Sequence, residues 1–394
     1  MSERDIPCKV RVSEEVFADL KERLARTRWP ASPDAAGWRM GVHVPYLKDL
    51  AEYWRTDFDW SRVSDRLNVR DHRFIALTDA HNAPLAIHVV VEPASRPGAP
   101  VLLITPGWPS SFLEYEILID RIAHPERYGG RVEDALGVVV ADLPGFGLSG
   151  QPSRPIGPRE IAGLWRQLMV EGLGHSRFLY HGNDWGASVG AWLGVDYAAH
   201  VRGVHLTMPG VRPSLTPPAP GLTAEESAWL KETQKRLSAD AGYREILSTK
   251  PSTAAVGLAD SPAALLAWIV EKLHGWSGMG ADQPPPMDRD TILAIATVYW
   301  STNNLPAANW IYYAARHGDD TAFGPGVRCA TATGFSIFDG GFFPPPPQTW
   351  LERMHHTIFR RDHPSGGHFP ALTRPQALAG DLLEFGRLAA QSPR

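Results

Sequence analysis

The chain has 394 residues, of which 43% are hydrophobic and 21% are charged, and its formal net charge is −4. This composition is typical of a globular protein, and the length predicts one large core with an inserted or appended part. The acidic balance and the lack of a basic cluster argue against a nucleic-acid partner, and no apolar run reaches the roughly 18 residues of a membrane helix. Because the two cysteines, Cys8 and Cys329, lie far apart and outside metal-ligand spacings, we expect a cytoplasmic protein without a cofactor.

Residues 1–70 are predicted to form an N-terminal helical meander. Ser13 can cap a helix whose apolar side chains share one face, namely Val16, Phe17, Leu20 and Leu24. A second helical pattern covers residues 46–54.

Further along the chain, short apolar runs alternate with helical patterns. The predicted strands cover residues 74–77, 85–91, 101–105, 138–141, 178–181 and 204–207, and strand character returns at 328–331, 335–338 and 357–360. Such buried strands between helices predict a mostly parallel sheet that is covered on both faces. We therefore predict an α/β fold whose core (71–212 and 326–394) is interrupted after the sixth strand by a helical cap (213–325).

The strand at 178–181 leads directly into a tight turn that carries a reactive side chain. The turn Gly182–Ala187 has Asp184 at its centre and small residues on both sides, which is typical of a nucleophile elbow between a strand and a helix. A carboxylate nucleophile suits attack at a saturated carbon, giving an ester that water must then cleave. The turn therefore predicts both a fold and a class of chemistry.

A competing interpretation places the nucleophile four residues later. Gly186–Gly190 matches the G-x-S-x-G pattern of esterases and lipases, with Ser188 at its centre. Because the strand ends near His181, Ser188 would lie about one helical turn beyond the elbow, where it would serve as a small packing residue. A serine hydrolase is thus the less favoured alternative.

Other candidate residues also follow predicted strands, where the loops of an open α/β sheet converge. Gly107–Pro109 follows one strand, Asp339 follows another, and His368 lies in a loop beyond the last strand. Histidine titrates near neutral pH, as the activation of water requires, and the Gly366–Gly367 pair favours His368 over His363. The order of nucleophile, acid and histidine is that of α/β-hydrolases.

These features, taken together, resemble the microsomal-type epoxide hydrolase family. The stretches that carry the resemblance run in the family's order at residues 20–30, 53–60, 107–114, 142–147, 183–186, 249–251, 260–262, 271–272 and 366–369. The resemblance implies an α/β-hydrolase fold without the membrane anchor of some members. It also implies a homodimer, and the composition is similar to bacterial members, including those in antibiotic (enediyne-type) biosynthesis within secondary metabolism.

The resemblance also implies roles for individual residues. Asp184 would be the nucleophile and His368 the general base, and Asp339 would orient the histidine, although the family's acid falls close to Gly341. The family's usual histidine before Gly-Trp-Pro is Pro106 here. The oxyanion hole needs backbone N–H groups, which would come from Trp108 and Trp185.

Two cap tyrosines support the epoxide oxygen in this family, and the matching positions are Tyr243 and Tyr312. A phenol suits this role because it stays protonated at neutral pH. The choice of Tyr312 over Tyr313 depends on register. Several cap tryptophans suggest a bulky, hydrophobic or aromatic epoxide, although core packing explains the same residues: Trp229, Trp268, Trp276 and Trp310.

The sequence therefore predicts an enzyme that converts a small-molecule epoxide to a vicinal diol without a metal or an organic cofactor. Two alternatives remain open. A haloalkane dehalogenase shares the aspartate nucleophile and uses tryptophan N–H donors, and a catalytically silent protein could keep the fold and bind a hydrophobic ligand.

Overall fold

The computed structural model describes residues 5–31, 33, 36–216 and 221–391, and these residues surround a nine-stranded sheet in the order β1-β2-β3-β5-β4-β6-β7-β8-β9. The strands are β1 (Asp5–Cys8), β2 (Asp71–Thr78), β3 (Pro84–Glu92), β4 (Val101–Thr105), β5 (Gly137–Ala141), β6 (Phe178–Gly182), β7 (Val201–Leu206), β8 (Cys329–Phe338) and β9 (His355–His363). β4 to β9 pair in parallel, whereas β1, β2 and β3 pair antiparallel. The predicted mostly parallel sheet is confirmed.

The helices occupy three stretches of the chain. Those before the cap are α1 (Glu14–Ala25), α2 (Val44–Thr56), α3 (Trp60–Leu67), α4 (Glu116–Ala123), α5 (Pro158–Arg166) and α6 (Trp185–Asp196). Between β7 and β8 come α7 (Ala224–Ala239), α8 (Gly242–Thr249), α9 (Pro251–Asp260), α10 (Pro262–Gly275), α11 (Arg289–Thr302), α12 (Leu305–Ala308) and α13 (Trp310–His317). The remaining helices are α14 (Gln348–Glu352), α15 (Pro370–Thr373) and α16 (Pro375–Gln391). Shorter turns include a 3₁₀ helix at Phe112–Tyr115.

The N-terminal segment is helical in most of its length, but it also supplies an edge strand. α1 begins as predicted, because the Ser13 hydroxyl accepts a hydrogen bond from the Val16 N–H and Leu20 and Leu24 are buried. The predicted N-terminal helical meander did not include β1, which pairs antiparallel with β2. This four-residue strand is largely exposed and contains a proline, so it shows no alternation of apolar and polar residues. The helical insert therefore follows the seventh strand of the chain.

The core directs its loops toward one edge of the sheet. β5 and β6 are buried at every position, as expected for central parallel strands. Beyond β5, the buried Asp142 carboxylate accepts hydrogen bonds from the Phe112 N–H at 2.7 Å and the Leu148 N–H at 3.1 Å, and it contacts His88 Nδ1 at 2.8 Å. One side chain thereby ties together the loops that follow β4 and β5.

None of the described helices is by itself long and apolar enough to cross a membrane. Helices α9 and α10 reach that length and composition only when they are counted together, and the chain bends by 118° between them.

Candidate active site

Asp184 lies at the sharp turn between β6 and α6. Its φ of 52° and ψ of −121° are strained for a residue with a side chain. A Cβ on Gly182 would lie 2.2 Å from the Gly186 carbonyl oxygen, and a Cβ on Gly186 would lie 2.2 Å from the Thr105 carbonyl oxygen. The turn therefore needs glycine at both positions, which is why the elbow could be recognised from the sequence.

The two carboxylate oxygens of Asp184 have different partners. Oδ1 accepts a hydrogen bond from the Trp108 backbone N–H at 2.9 Å, and Oδ2 lies 3.3 Å from His368 Nε2. Gly107 permits this close approach, because a Cβ there would lie 2.3 Å from Asp184 Cβ. The arrangement leaves a carboxylate that is held at one oxygen and faces an imidazole at the other.

His368 is held mainly through its backbone. Its N–H donates to the Trp276 carbonyl oxygen at 2.7 Å, and its carbonyl oxygen accepts a hydrogen bond from Asn183 Nδ2 at 2.7 Å. The imidazole is buried against aromatic rings, with Phe342 at 4.7 Å and Trp276 at 5.1 Å between centroids. The loop fixes the histidine against both the core and the cap.

The predicted acid is placed differently from the other site residues. The Asp339 carboxylate is exposed, and its Oδ1 accepts a hydrogen bond from the Gly340 N–H at 2.7 Å. No hydrogen bond joins it to His368 among the described residues. In the loop after β8, Gly341 lies beside the histidine backbone, and a Cβ there would lie 3.4 Å from the His368 N atom. His363 instead contacts Asp381 at 2.7 Å, away from the elbow.

Both predicted tyrosines lie over the elbow. The ring of Tyr312 is 5.9 Å from the ring of Tyr243 and 4.8 Å from that of Trp185, and Tyr243 stacks on Trp108 at 5.4 Å. Burial raises the pKa of both phenols above their ordinary value, so each keeps its proton at neutral pH. Tyr313 stacks instead on His317 at 4.0 Å.

The two predicted oxyanion donors differ in their present bonds. The Trp108 N–H already donates to Asp184, whereas the Trp185 N–H has no acceptor among the described residues and opens α6. A free N–H in the first turn of a helix is available to an oxyanion.

Ser188 lies one turn into α6, and its hydroxyl donates to the Gly210 carbonyl oxygen. The histidine of the site faces Asp184, and no described residue is hydrogen-bonded to the Ser188 hydroxyl as a base. This geometry disfavours the esterase interpretation of the Gly186–Gly190 motif.

The four cap tryptophans have separate surroundings. Trp229 lines the main cavity, and its Nε1 donates to the Pro344 carbonyl oxygen at 3.0 Å. Trp276 is buried between His368 and Tyr243, with its ring 5.3 Å from the tyrosine ring. Trp268 and Trp310 are partly buried and do not line the cavity.

The main cavity has a volume of about 610 Å³ and reaches both the elbow and the cap. Trp185 and Tyr312 line it next to the elbow. The rest of the wall comes from α7, α8, the segment after β7, the end of the cap, the loop after β8 and α14. This volume is within the usual range of small-molecule sites.

Glu114 is a site residue that the sequence analysis did not single out. It is fully buried in the 3₁₀ turn after β4, and its Oε1 lies 3.5 Å from Asn183 Nδ2. Burial, with a contribution from Asp184, raises the pKa of Glu114 to about 8. Nothing in the sequence distinguishes this glutamate from an exposed one, because its burial depends on the loop tied by Asp142.

Lys272 on α10 belongs to a stretch that carries the resemblance, 271–272, but no role was predicted for it. Its ammonium group is buried, bonds to Asp240 at 2.7 Å and to Glu271 at 2.8 Å, and lies 4.3 Å from the centre of the Tyr243 ring. Asp240 also accepts a hydrogen bond from Trp276 Nε1 at 2.8 Å. Besides that resemblance, the signal in the sequence was a lysine within an apolar helix.

Among the described residues, one group has side-chain atoms close enough to share a metal ion: Glu92, Asp120 and His124. The Arg70 guanidinium already pairs with Glu92 at 3.2 Å and with Asp120 at 3.0 Å. This cluster is far from the elbow along the chain, and its two carboxylates are already paired with Arg70 in an ion-pair network.

Comparison with known proteins places this site in a family. Residues 6–115 match the model of the epoxide hydrolase N terminus, and residues 100–310 match that of the alpha/beta hydrolase fold. The chain is 34% identical to a "Putative epoxide hydrolase" of Stigmatella aurantiaca, over 98% of this chain and 86% of that protein. It is 28% identical to epoxide hydrolase 1 of Sus scrofa, over 98% of this chain and 89% of that protein.

A solved structure agrees with these relatives. The epoxide hydrolase of Aspergillus niger superimposes with a TM-score of 0.81 at 29% identity, covering 97% of this chain and 96% of that one. Because the family models match residues 6–310 and a relative with 34% identity covers 98% of the chain, the chain belongs to the epoxide hydrolase family of the α/β-hydrolase fold.

Proposed function

We propose that the protein converts a bulky hydrophobic or aromatic epoxide to a vicinal diol through an ester on Asp184. The observation that carries this proposal is the position of the Asp184 carboxylate between the Trp108 N–H and His368 Nε2, beneath the rings of Tyr243 and Tyr312. A carboxylate, an imidazole and two protonated phenols are the groups that such a reaction requires.

In the first step, an Asp184 oxygen attacks a ring carbon of the epoxide, and the bond from that carbon to the epoxide oxygen breaks. The electron pair passes to the oxygen, which takes a proton from Tyr243 or Tyr312. The raised phenol pKa values keep those protons available at neutral pH.

In the second step, His368 takes a proton from water, and the resulting hydroxide attacks the ester carbonyl carbon. The Trp108 and Trp185 N–H groups would bind the oxyanion of the tetrahedral intermediate, whose collapse breaks the bond between the carbonyl carbon and the diol oxygen. The carboxylic acid formed on Asp184 gives its proton to that oxygen, which releases the diol and restores the carboxylate. The proton held by His368 returns to the phenolate left by the first step. Orientation of His368 by Asp339 remains a prediction, and it would require the Asp339 side chain to leave the Gly340 N–H. These steps consume only water and need no metal or organic cofactor.

The alternatives make different predictions. A haloalkane dehalogenase would use Trp108 and Trp185 as halide donors and would not need the phenols, whose place over the elbow favours the epoxide. A silent binding protein would hold an epoxide without consuming it. A homodimer, a cytoplasmic location and a role in antibiotic biosynthesis remain predictions.

The test is a pair of variants assayed with styrene oxide. We expect Asp184→Ala to form no diol. His368→Gln should stop after the first step and accumulate protein whose mass has increased by that of the epoxide. Diol formation by Asp184→Ala at the wild-type rate would contradict the proposal, and full activity of a Tyr243→Phe, Tyr312→Phe double variant would remove the role of the phenols.

A further inference from the structure

The main cavity is lined by more positive than negative side chains. Its charged lining residues are Arg212, Arg244, Glu245 and Arg316. Arg316 is bound to Glu245 at 2.7 Å, and Arg212 Nη2 lies 3.4 Å from Thr321 Oγ1. Arg244 is partly buried, and within the described ranges it makes no hydrogen bond or ion pair. The neighbouring Glu245 interacts with Arg244 electrostatically but without a hydrogen bond, because its carboxylate already binds Arg316.

An arginine without a partner in a cavity is suited to an anionic ligand. The guanidinium offers a planar set of donors that matches a carboxylate in a two-point contact, and the contact strengthens where water is excluded. The other walls are largely apolar or aromatic, including Trp185, Trp229 and Leu230. The cavity therefore combines an apolar body with the Arg244 guanidinium, which has no hydrogen-bond partner among the described residues.

Arg244 is also placed close to the reacting end of the cavity. It follows Tyr243 directly in the first turn of α8, and its charge lowers the pKa of the Tyr243 phenol, against the larger effect of burial. Tyr312, the second phenol, lines the same cavity as Arg244. One molecule in this cavity can therefore contact Arg244 with an anionic group and Tyr312 with its epoxide oxygen.

We infer that the substrate is an epoxide that carries a carboxylate, and that Arg244 binds this carboxylate and determines specificity. The inference rests on the proposed function, since it assigns the epoxide to the same cavity.

The test compares two epoxides that differ in one charge, 4-(oxiran-2-yl)benzoate and 4-(oxiran-2-yl)benzamide. We expect wild-type kcat/KM to be about tenfold higher for the benzoate, because a partly exposed charge-assisted contact contributes on the order of 1.4 kcal/mol. Arg244→Gln should abolish this preference, with KM rising for the benzoate only. Any effect of the lost charge on the Tyr243 phenol would change kcat for both epoxides alike and would leave their ratio near one. Arg244→Lys should keep part of it, because the charge remains.

Arg212→Gln is the matched control, since it removes a charge from another part of the same cavity wall and should leave the preference intact. Equal kcat/KM values for the two epoxides in the wild type, or an unchanged preference in Arg244→Gln, would overturn the inference. The inference would also be overturned if Arg212→Gln lost the preference for the benzoate while Arg244→Gln kept it.

Binding of the two corresponding diols, measured by calorimetry, separates this inference from the proposed function. If no diol is formed from either epoxide, the proposed function fails, while tighter binding of the benzoate diol that depends on Arg244 would still support the carboxylate site. Equal binding of both diols would overturn that site independently of turnover.

Discussion

The Asp184 carboxylate is in close contact with the backbone of Gly107. Gly107 and Asp184 are neighbours across the ends of β4 and β6, and the Trp108 N–H reaches Oδ1 only because Gly107 has no side chain. The position of the Asp184 carboxylate therefore depends on the absence of a side chain at Gly107, in a loop that carries no reactive group.

Gly107→Ala is expected to reduce kcat by about 100-fold or more, because its Cβ would lie 2.3 Å from Asp184 Cβ and would displace the carboxylate from His368. The control is Gly257→Ala in α9, where an added Cβ meets nothing within 4 Å. Steady-state kinetics with styrene oxide measure both variants. Equal kcat values for Gly107→Ala and the wild type would show that the close approach at Gly107 is unimportant.

Glu114 makes stability depend on pH through its raised pKa. The carboxyl is ionised in the unfolded chain above the ordinary value of 4.5 but stays protonated in the folded protein up to about 8. Within this window the folded state binds the extra proton, so its contribution to the free energy of unfolding falls as pH rises.

We therefore expect the stability of the wild type, measured relative to Glu114→Gln, to fall by up to about 1.4 kcal/mol per pH unit between pH 5 and 8. Urea unfolding of both proteins across this range gives the difference directly, and the other titrating groups cancel. A stability difference that is independent of pH would mean that Glu114 titrates normally.

At the scale of elements, the cap is joined to the site through α8 and α10. Lys272 of α10 lies against the ring of Tyr243 of α8, and Asp240 bonds to both Lys272 and Trp276. The Tyr243 ring is thus held by the buried Lys272 ammonium, which is paired with the partly exposed Asp240, in addition to its contact with Trp108. Removing one partner of such a pair leaves the other without compensation.

Lys272→Met is expected to lower kcat about tenfold, because Tyr243 loses the cation beneath its ring and the α8–α10 contact loosens. Lys231→Met, on an exposed position of α7, is the control and should behave as the wild type. Kinetics and thermal unfolding should be measured together. A Lys272→Met protein with an unchanged kcat would refute the positioning role.

Local patterns predicted the elements whose causes are local. Ser13 caps α1, and the small residues around Asp184 form the elbow, since each depends on a few neighbouring residues. The position of β1 was not predictable in this way, because the strand exists only through its pairing with β2. The burial of Glu114 and Lys272 likewise arises from tertiary contacts, and the orientation of Asp339 is set by its own loop.

The whole molecule buries several uncharged histidines in its core. Burial lowers the pKa of four of them, to about 4 for His72, to about 3 for His181 and His355, and well below 6.5 for His205. Each of these groups gains a proton in the unfolded chain below pH 6.5 but not in the folded protein. The unfolded state therefore binds more protons there, and stability falls as pH falls.

We expect the free energy of unfolding to decrease steeply from pH 6.5 to 5, by up to about 1.4 kcal/mol per pH unit for each such histidine. Glu114 changes the free energy of unfolding in the opposite direction, but it is a single group, and the combined effect of the four histidines is larger. Guanidinium unfolding at a series of pH values checks this. Stability that stays constant down to pH 5 would contradict the neutral, buried state of these histidines.

The measurement that tests the central claim most directly is a single turnover of styrene oxide in heavy-oxygen water. Mass spectrometry then locates the label in the diol and in the peptide that contains Asp184. The ester mechanism predicts heavy oxygen in the Asp184 carboxylate and none in the diol of that turnover, because water attacks the ester carbonyl carbon. Label in the diol with none in Asp184 would mean that water opens the epoxide directly, and Asp184 would not be the nucleophile.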